Sequence, residues 1–200
     1  MRLFEIFPLI SFIVLVLMIA GRIIFLKKKK VPVNTKTKKN AILNFLLYPI
    51  FLLLFLLLIF ELTKQTVQIS LVIMPNLISN NLVDSFFLKI FGTLLIIVSL
   101  ICMGFTLWNF NKSLRLGTNS NNLGKLITKG IFAITRNPFF VSIALYFVGI
   151  ALVISNLFFV GIALSTIISI HFFILKEEKF MRKNYGKEYE NYVKKVKRYF

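Results

Sequence analysis

The sequence predicts an all-α integral membrane protein with about five transmembrane helices, a C-terminal helical hairpin and a cytoplasmic amphipathic tail. Two observations lead to this fold class. Hydrophobic residues make up 58% of the 200-residue chain, and its mean hydropathy is +0.82, as is typical of membrane proteins. The apolar residues also occur in long, mostly uncharged runs, and most basic residues occupy the segments between these runs.

Five runs are long enough, or nearly so, to cross a bilayer core of about 30 Å as helices that rise 1.5 Å per residue. The predicted spans are Leu3–Leu26, Ala41–Phe60, Phe87–Phe110, Phe139–Ile154 and Leu157–Leu175. Four lysines follow the first run, whereas a signal peptide carries its charge in front of the apolar segment. The first run is therefore predicted to be an uncleaved helix. The last two runs are separated only by Ser155 and Asn156, which predicts a helical hairpin.

The apolar segment from Val67 to Ile78 is predicted to lie at the interface and not to cross the membrane. It is only about a dozen residues long, and Gln68, Ser70 and Pro75 interrupt it, which is too short for a span. With five spans, 21 of the 25 basic residues fall on one side of the membrane. Cytoplasmic loops carry an excess of Lys and Arg, so this side is predicted to be cytoplasmic, and we expect the plasma membrane.

Composition argues against several other functions. The formal charge of +18 comes from residues that flank apolar spans, whereas nucleic-acid binding requires a basic soluble surface. A single cysteine, Cys102, excludes an intramolecular disulfide. With one cysteine and one histidine in the chain, no zinc-ligand spacing exists, and we expect no metal. We predict no protein partner.

The chain divides into an N-terminal transmembrane region, 1–110, and a C-terminal region, 111–200, which carries the motifs. That second region holds a polar loop, the hairpin and the tail. Four groups of landmarks follow each other in it. They are Leu126, Thr128, Gly130, Ile131 and Phe132, then Arg136, Asn137, Pro138, Phe140 and Ser142, then Glu177 and Glu178, and finally Tyr185, Gly186, Tyr189 and Tyr192.

This order and spacing resembles the isoprenylcysteine carboxyl methyltransferase and phospholipid methyltransferase family of integral membrane enzymes. The family pattern is Leu-x-Thr-x-Gly-Pro-Tyr, Arg-His-Pro-x-Tyr-x-Gly, an apolar hairpin, Glu-Glu and Phe-Gly-x-x-Tyr-x-x-Tyr. The resemblance implies a methyltransferase that uses S-adenosyl-L-methionine as its cofactor. It implies methylation of a lipidic or small hydrophobic acceptor at the cytoplasmic interface, with membrane lipids as surroundings.

The resemblance also assigns roles to particular residues. Arg136 and Glu177 are the expected catalytic residues, and Arg136 is expected to pair with the cofactor carboxylate through a bidentate fork. The expected cofactor-binding residues are Gly130, Arg136, Asn137, Pro138, Glu177, Glu178 and Tyr189. Consecutive glutamates point about 100° apart on a helix. One is therefore expected to face the cofactor, and the other to pair with Arg182 at i+4.

Several residues also have simpler structural interpretations. Asn137 is a candidate N-cap, Pro138 suits the first helical turn, and Gly186 suits a helix C-terminus. His171, the one histidine, either packs with a hydrogen bond inside the membrane or takes part in the chemistry of the acceptor.

Four differences from the family pattern concern the acceptor. Asn137 replaces a histidine, Phe132 and Phe140 replace tyrosines, and Ser142 replaces a glycine. The acceptor group therefore remains open among carboxylate, thiol and amine, and an amine would have to lose a proton to a glutamate or to His171. The alternative function is a non-catalytic membrane scaffold or lipid-binding protein that retains the hairpin.

Overall fold

The computed structural model describes residues 2–28, 41–68, 71, 73–110 and 126–199, without the side chains of residues 2 and 41–47. The described residues form helices and turns, with no β-strand among them, so the predicted all-α fold class is confirmed. The elements are α1 (Arg2–Lys28), α2 (Ala41–Val67), α3 (Asn76–Ser79), α4 (Phe86–Asn109), a 3-10 helix (Gly130–Ala133), α5 (Pro138–Val153), α6 (Leu157–Tyr185) and α7 (Lys187–Lys195).

Four helices, α1, α2, α4 and α6, are long and apolar enough to cross a membrane. The fifth apolar helix, α5, has 16 residues, about 24 Å at 1.5 Å per residue, which is shorter than a typical bilayer core. The count of five spans therefore stays a prediction. The predicted basic loops fall partly outside the described residues, at 29–40 and 111–125.

Two helices extend well beyond their predicted ends. The prediction ended α2 at Phe60 and the last span at Leu175, but these helices continue to Val67 and Tyr185. Charged residues mark where an apolar surface stops, whereas Glu, Lys, Met and Arg all favour helix. A helix therefore passes through such residues and ends at a true terminator, which for α6 is Gly186. None of the described residues between Val67 and Asn76 is helical, in line with the rejected sixth span.

Two glycines bring α4 and α5 into close contact. A Cβ atom at Gly92 would lie 2.7 Å from the Gly149 carbonyl oxygen, and one at Gly149 would lie 2.8 Å from the Gly92 oxygen. Small residues allow helix backbones to approach each other inside membranes, where dispersion contacts replace the hydrophobic effect. Nearby, Tyr146 of α5 is fully buried, and its hydroxyl lies 3.1 Å from Ser11 Oγ of α1.

The hairpin turn is fixed by the segment that precedes α4. The Asn156 side chain accepts a hydrogen bond from the Phe159 amide and donates one to the Ser79 carbonyl oxygen. The Leu82 amide donates to the Ser155 carbonyl oxygen. Asn156 thus caps α6 and links the hairpin to α3, a role that the prediction of a simple turn did not include.

At the other end, α4 stops, α5 starts and α6 continues into α7. We call this the basic end, because α1 ends there with Lys27 and Lys28, and the last turn of α6 carries Arg182 and Lys183. Gly186 has φ +49° and accepts the change of direction between α6 and α7, which confirms its predicted role. A second, smaller core of Tyr189, Tyr192 and Val196 holds α7 against its surroundings.

Candidate functional site at the basic end

The last described residues of the tail run alongside the start of α5. The Arg136 amide donates to the Lys197 carbonyl oxygen at 3.1 Å, and Thr135 Oγ1 donates to the Arg198 carbonyl oxygen at 3.1 Å. Asn137 Nδ2 donates to the same oxygen, also at 3.1 Å. The tail is thereby folded back over the entrance to the hairpin.

Glu178 stands at the centre of this region, between two guanidinium groups. Its Oε1 accepts from Arg136 Nη2 at 2.8 Å and from Arg198 Nε at 3.0 Å, and its Oε2 accepts from Arg198 Nη2 at 2.8 Å. Arg136 and Glu178 are nearly buried, with side chains 7% and 6% exposed. The hydrogen bonds with Glu178 raise the pKa of Arg198. Two positive groups and one negative group leave this triad with an excess positive charge.

Arg136 retains unused hydrogen-bonding capacity. Its Nε and Nη1 atoms are buried and have no hydrogen-bond partner within the described part of the chain. Buried guanidinium donors are costly to leave unpaired, and carboxylate and phosphate oxygens are strong acceptors for them. Arg136 is thus held by Glu178 through one nitrogen, while the N–H groups of its other two nitrogens have no acceptor among the described residues.

Two buried tyrosines of α7 cover the triad. Burial is the main cause that raises the pKa of Tyr189 to about 12, and the negative charge of Glu178 adds to it, while Arg136 acts in the opposite direction. Burial likewise raises the pKa of Tyr192. With these raised pKa values both phenols stay neutral. The Tyr192 hydroxyl donates to the Phe132 carbonyl oxygen at 2.6 Å, which joins α7 to the 3-10 helix.

Gly130 begins that 3-10 helix at φ +66°, a conformation that glycine adopts without strain. A Cβ atom there would lie 2.5 Å from Asn109 Oδ1. The residue is exposed and stands outside the ion-pair triad. Its conformation directs the chain toward Arg136 from the end of α4.

The structure corrects two interpretations. Asn137 precedes α5, but its side chain makes no capping hydrogen bond; its Nδ2 donates to the tail. Glu178 was the candidate partner of Arg182, but its oxygens are occupied by Arg136 and Arg198. Pro138 is the first residue of α5, as predicted. Glu177 is half-buried next to Glu178 and is not part of the triad.

Sequence reasoning missed Arg198 and Tyr199. Both lie in a tail with nine basic residues, where no spacing distinguishes an arginine that pairs with a carboxylate from solvated ones. Tyr199 contacts His171, whose Nδ1 lies 2.7 Å from the tyrosine hydroxyl. The tail therefore contributes to the site through contacts between residues that are distant in the sequence.

Comparison with known proteins identifies the family of the chain. The family model described as phospholipid methyltransferase matches residues 82–188, more than half of the chain. The chain belongs to this family. No curated protein and no solved structure matched it.

Membership of this family indicates that the chain is a methyltransferase. Together with the four long apolar helices, it indicates a multi-pass membrane protein. Methyltransferases of this kind generally use S-adenosyl-L-methionine. The matched region runs from α4 to the start of α7 and includes Arg136, Glu177 and Glu178. Arg198 and Tyr199 lie beyond it. The resemblance seen in the motifs is thus confirmed at the level of the family.

Proposed function

We propose that the basic end binds S-adenosyl-L-methionine and that the protein methylates a lipidic or small hydrophobic acceptor through a carboxylate, thiol or amine. The observation that carries the proposal is the buried guanidinium of Arg136, with two nitrogens unpaired among the described residues. A cofactor with a free amino-acid carboxylate meets that requirement, and the excess positive charge of the triad favours an anion.

Each residue then has a definite task. Arg136 holds the cofactor carboxylate, while Glu178 and Arg198 fix the plane of the Arg136 guanidinium. Glu177 offers a carboxylate for the cofactor amino or ribose groups. Gly130, Asn137 and Pro138 shape the backbone at the entrance, and Tyr189 covers the site against water.

The bound cofactor supplies a methyl group on a sulfonium, which an acceptor displaces in line. Such a reaction depends mainly on the positioning of two reactants and on the exclusion of water. The triad is rigid because three charge-assisted hydrogen bonds hold it, and it is nearly buried at Arg136 and Glu178. These properties provide positioning and exclusion.

The site is proposed to face the cytoplasm, where the cofactor is made available, and the membrane to be the plasma membrane. The excess of basic residues on this side supports the orientation. A lipidic acceptor reaches the same end of the hairpin from the bilayer.

Titration calorimetry of the purified chain in detergent tests the proposal, with S-adenosyl-L-methionine and its demethylated product as ligands. We expect both to bind, and Arg136→Gln to weaken binding by about ten- to a hundredfold, because a charged hydrogen-bond donor is lost. Lys183→Gln removes the same charge from an exposed position on α6 and should leave affinity unchanged. A folded chain that binds neither ligand would favour the non-catalytic scaffold.

A further inference from the structure

An apolar groove lies between the two helices of the hairpin. Val141, Ala144 and Leu145 of α5 form one wall, and Ile168, His171 and Phe172 belong to the other, on α6. Its volume is about 570 Å³, within the range of small-molecule sites. Ile168 and Phe172 are 57% and 65% exposed on a helix that is apolar enough to span a membrane, so the groove opens toward lipid.

Polar groups are confined to one end of this groove. His171 and Tyr199 both line it, and their hydrogen bond joins α6 to the tail. Because Tyr199 engages Nδ1, the second ring nitrogen, Nε2, is the one available to a bound molecule. Ionisable residues within membrane helices are costly and commonly mark functional sites.

The polar end of the groove also lies next to the triad. His171 and Glu178 are seven residues apart on α6, two helical turns along one face and about 10 Å in rise. Ile174, fully buried, lies between them on that face. Tyr199 follows Arg198 directly in the chain. A group held at His171 would thus lie close to a cofactor held at Arg136.

The groove is apolar over most of its length and polar toward the basic end, and a lipid in the adjacent leaflet has its hydrocarbon chain and its polar group in the same order. Its wall on α6 runs from Ile167 to Phe172, about 8 Å at 1.5 Å per residue, with His171 toward the basic end. This length accommodates only the part of a hydrocarbon chain nearest its polar group. The rest of the chain would leave through the opening beside Ile168 and Phe172 into the bilayer.

We propose that this groove is the acceptor site, that it takes a single-chain amphiphile from the bilayer, and that His171 positions the polar group by a hydrogen bond from or to Nε2. Tyr199 orients the imidazole ring. This inference rests on the proposed function, since it assigns to the methyl acceptor a place next to the cofactor site. His171 contacts the acceptor directly, and Tyr199 is a positioning residue that acts through His171.

Photo-crosslinking in lipid nanodiscs tests the inference on the full chain. The probe is a hexadecanol with a diazirine near its hydroxyl, and the reference is the corresponding alkane without a hydroxyl. A hydroxyl both donates and accepts, so the result does not depend on the histidine tautomer. We expect the alcohol to label the groove walls, as mapped by mass spectrometry, and the alkane to label them less.

Variants separate the contribution of the hydrogen bond from that of the groove volume. His171→Phe should reduce labelling by the alcohol about fivefold, as expected for one buried hydrogen bond, and leave alkane labelling unchanged. Ala144→Phe should reduce labelling by both probes because it fills the groove. Ser165→Ala, an exposed change on α6 whose hydroxyl bonds only to its own helix, is the control and should alter neither.

Calorimetry with S-adenosyl-L-methionine on the same samples distinguishes a failure of the proposed function from a failure of the acceptor-site inference. Absence of binding to the unaltered chain contradicts the proposed function. Normal cofactor binding together with labelling outside the groove, or with equal alcohol labelling in His171→Phe, overturns the acceptor site. If His171→Phe does not fold, Tyr199→Phe takes its place, because it removes the hydroxyl that orients His171. The labelling map of the unaltered chain still shows whether the alcohol enters the groove.

Discussion

Arg136 and Glu178 are 42 positions apart in the sequence, and their Nη2 and Oε1 atoms lie 2.8 Å apart in the structure. The hairpin brings the two residues to the same end, and Arg198 completes the contact from the tail. Three segments of the chain therefore meet at one carboxylate. The following predictions test this relationship and the packing that supports it.

Glu178→Gln should destabilise the protein strongly. The substitution leaves two guanidinium groups without a charged partner, and breaking a buried ion pair by removing one partner costs about 3–5 kcal/mol. Glu177→Gln is the matched control, because this neighbouring glutamate is half-buried and lies outside the triad. Denaturant unfolding of both variants in detergent measures the difference, and equal losses of stability would contradict the central place of Glu178.

Alkaline pH should loosen the tail. Tyr189 has an ordinary pKa near 10 when unfolded and a raised pKa of about 12 when folded. The unfolded state therefore loses its proton first, and the stability that Tyr189 contributes is complete below pH 10 and disappears as pH rises toward 12. Hydrogen exchange of α7 amides can follow this loss if exchange rates are referred to an unstructured peptide at each pH.

Tyr189→Phe is the control for that experiment. It keeps the ring but removes the titrating group, so the loss of protection over this pH interval should be smaller. An identical pH profile in both proteins would show that another group governs the attachment of α7.

Gly149→Ala should destabilise the contact between α4 and α5. The added Cβ would lie 2.7 Å from Ile96 Cγ1 and 2.8 Å from the Gly92 carbonyl oxygen, and overpacking of this kind typically costs about 1–3 kcal/mol. Gly161→Ala, in α6, meets no atom within 4 Å and should be neutral or stabilising, because alanine favours helix. Thermal unfolding of both variants would reveal the contrast, and equal stability would argue against close helix contact.

Topology reporters should place the basic end on the cytoplasmic side. Fusions at Lys38, Asn121 and the C-terminus are all expected to report the cytoplasm, although all three positions lie outside the described residues. The hydrogen bond between Arg136 and Lys197 requires the entrance of the hairpin and the tail to share one side. An external signal from any of the three positions would contradict the proposed orientation.

Several features of this protein follow from local sequence alone. Apolar runs separated by basic segments establish a helical membrane protein, because only helices and closed barrels satisfy backbone hydrogen bonds in lipid. Pro138 and Gly186 mark helix ends because their backbone preferences are local. Arg136, Glu177 and Glu178 were recognised by a pattern that the family match supports.

Tertiary structure alone decided which of these groups make contact. Sequence spacing favoured Arg182 as a partner for Glu178, because i+4 neighbours are close on any helix, but the folded chain supplies Arg136 and Arg198 instead. Asn137 likewise binds the tail and does not cap its helix. The strength of a charged contact depends on burial and on the distance between the groups. Arg198 and Tyr199 come within hydrogen-bond distance of Glu178 and His171 only because the tail folds back onto the hairpin.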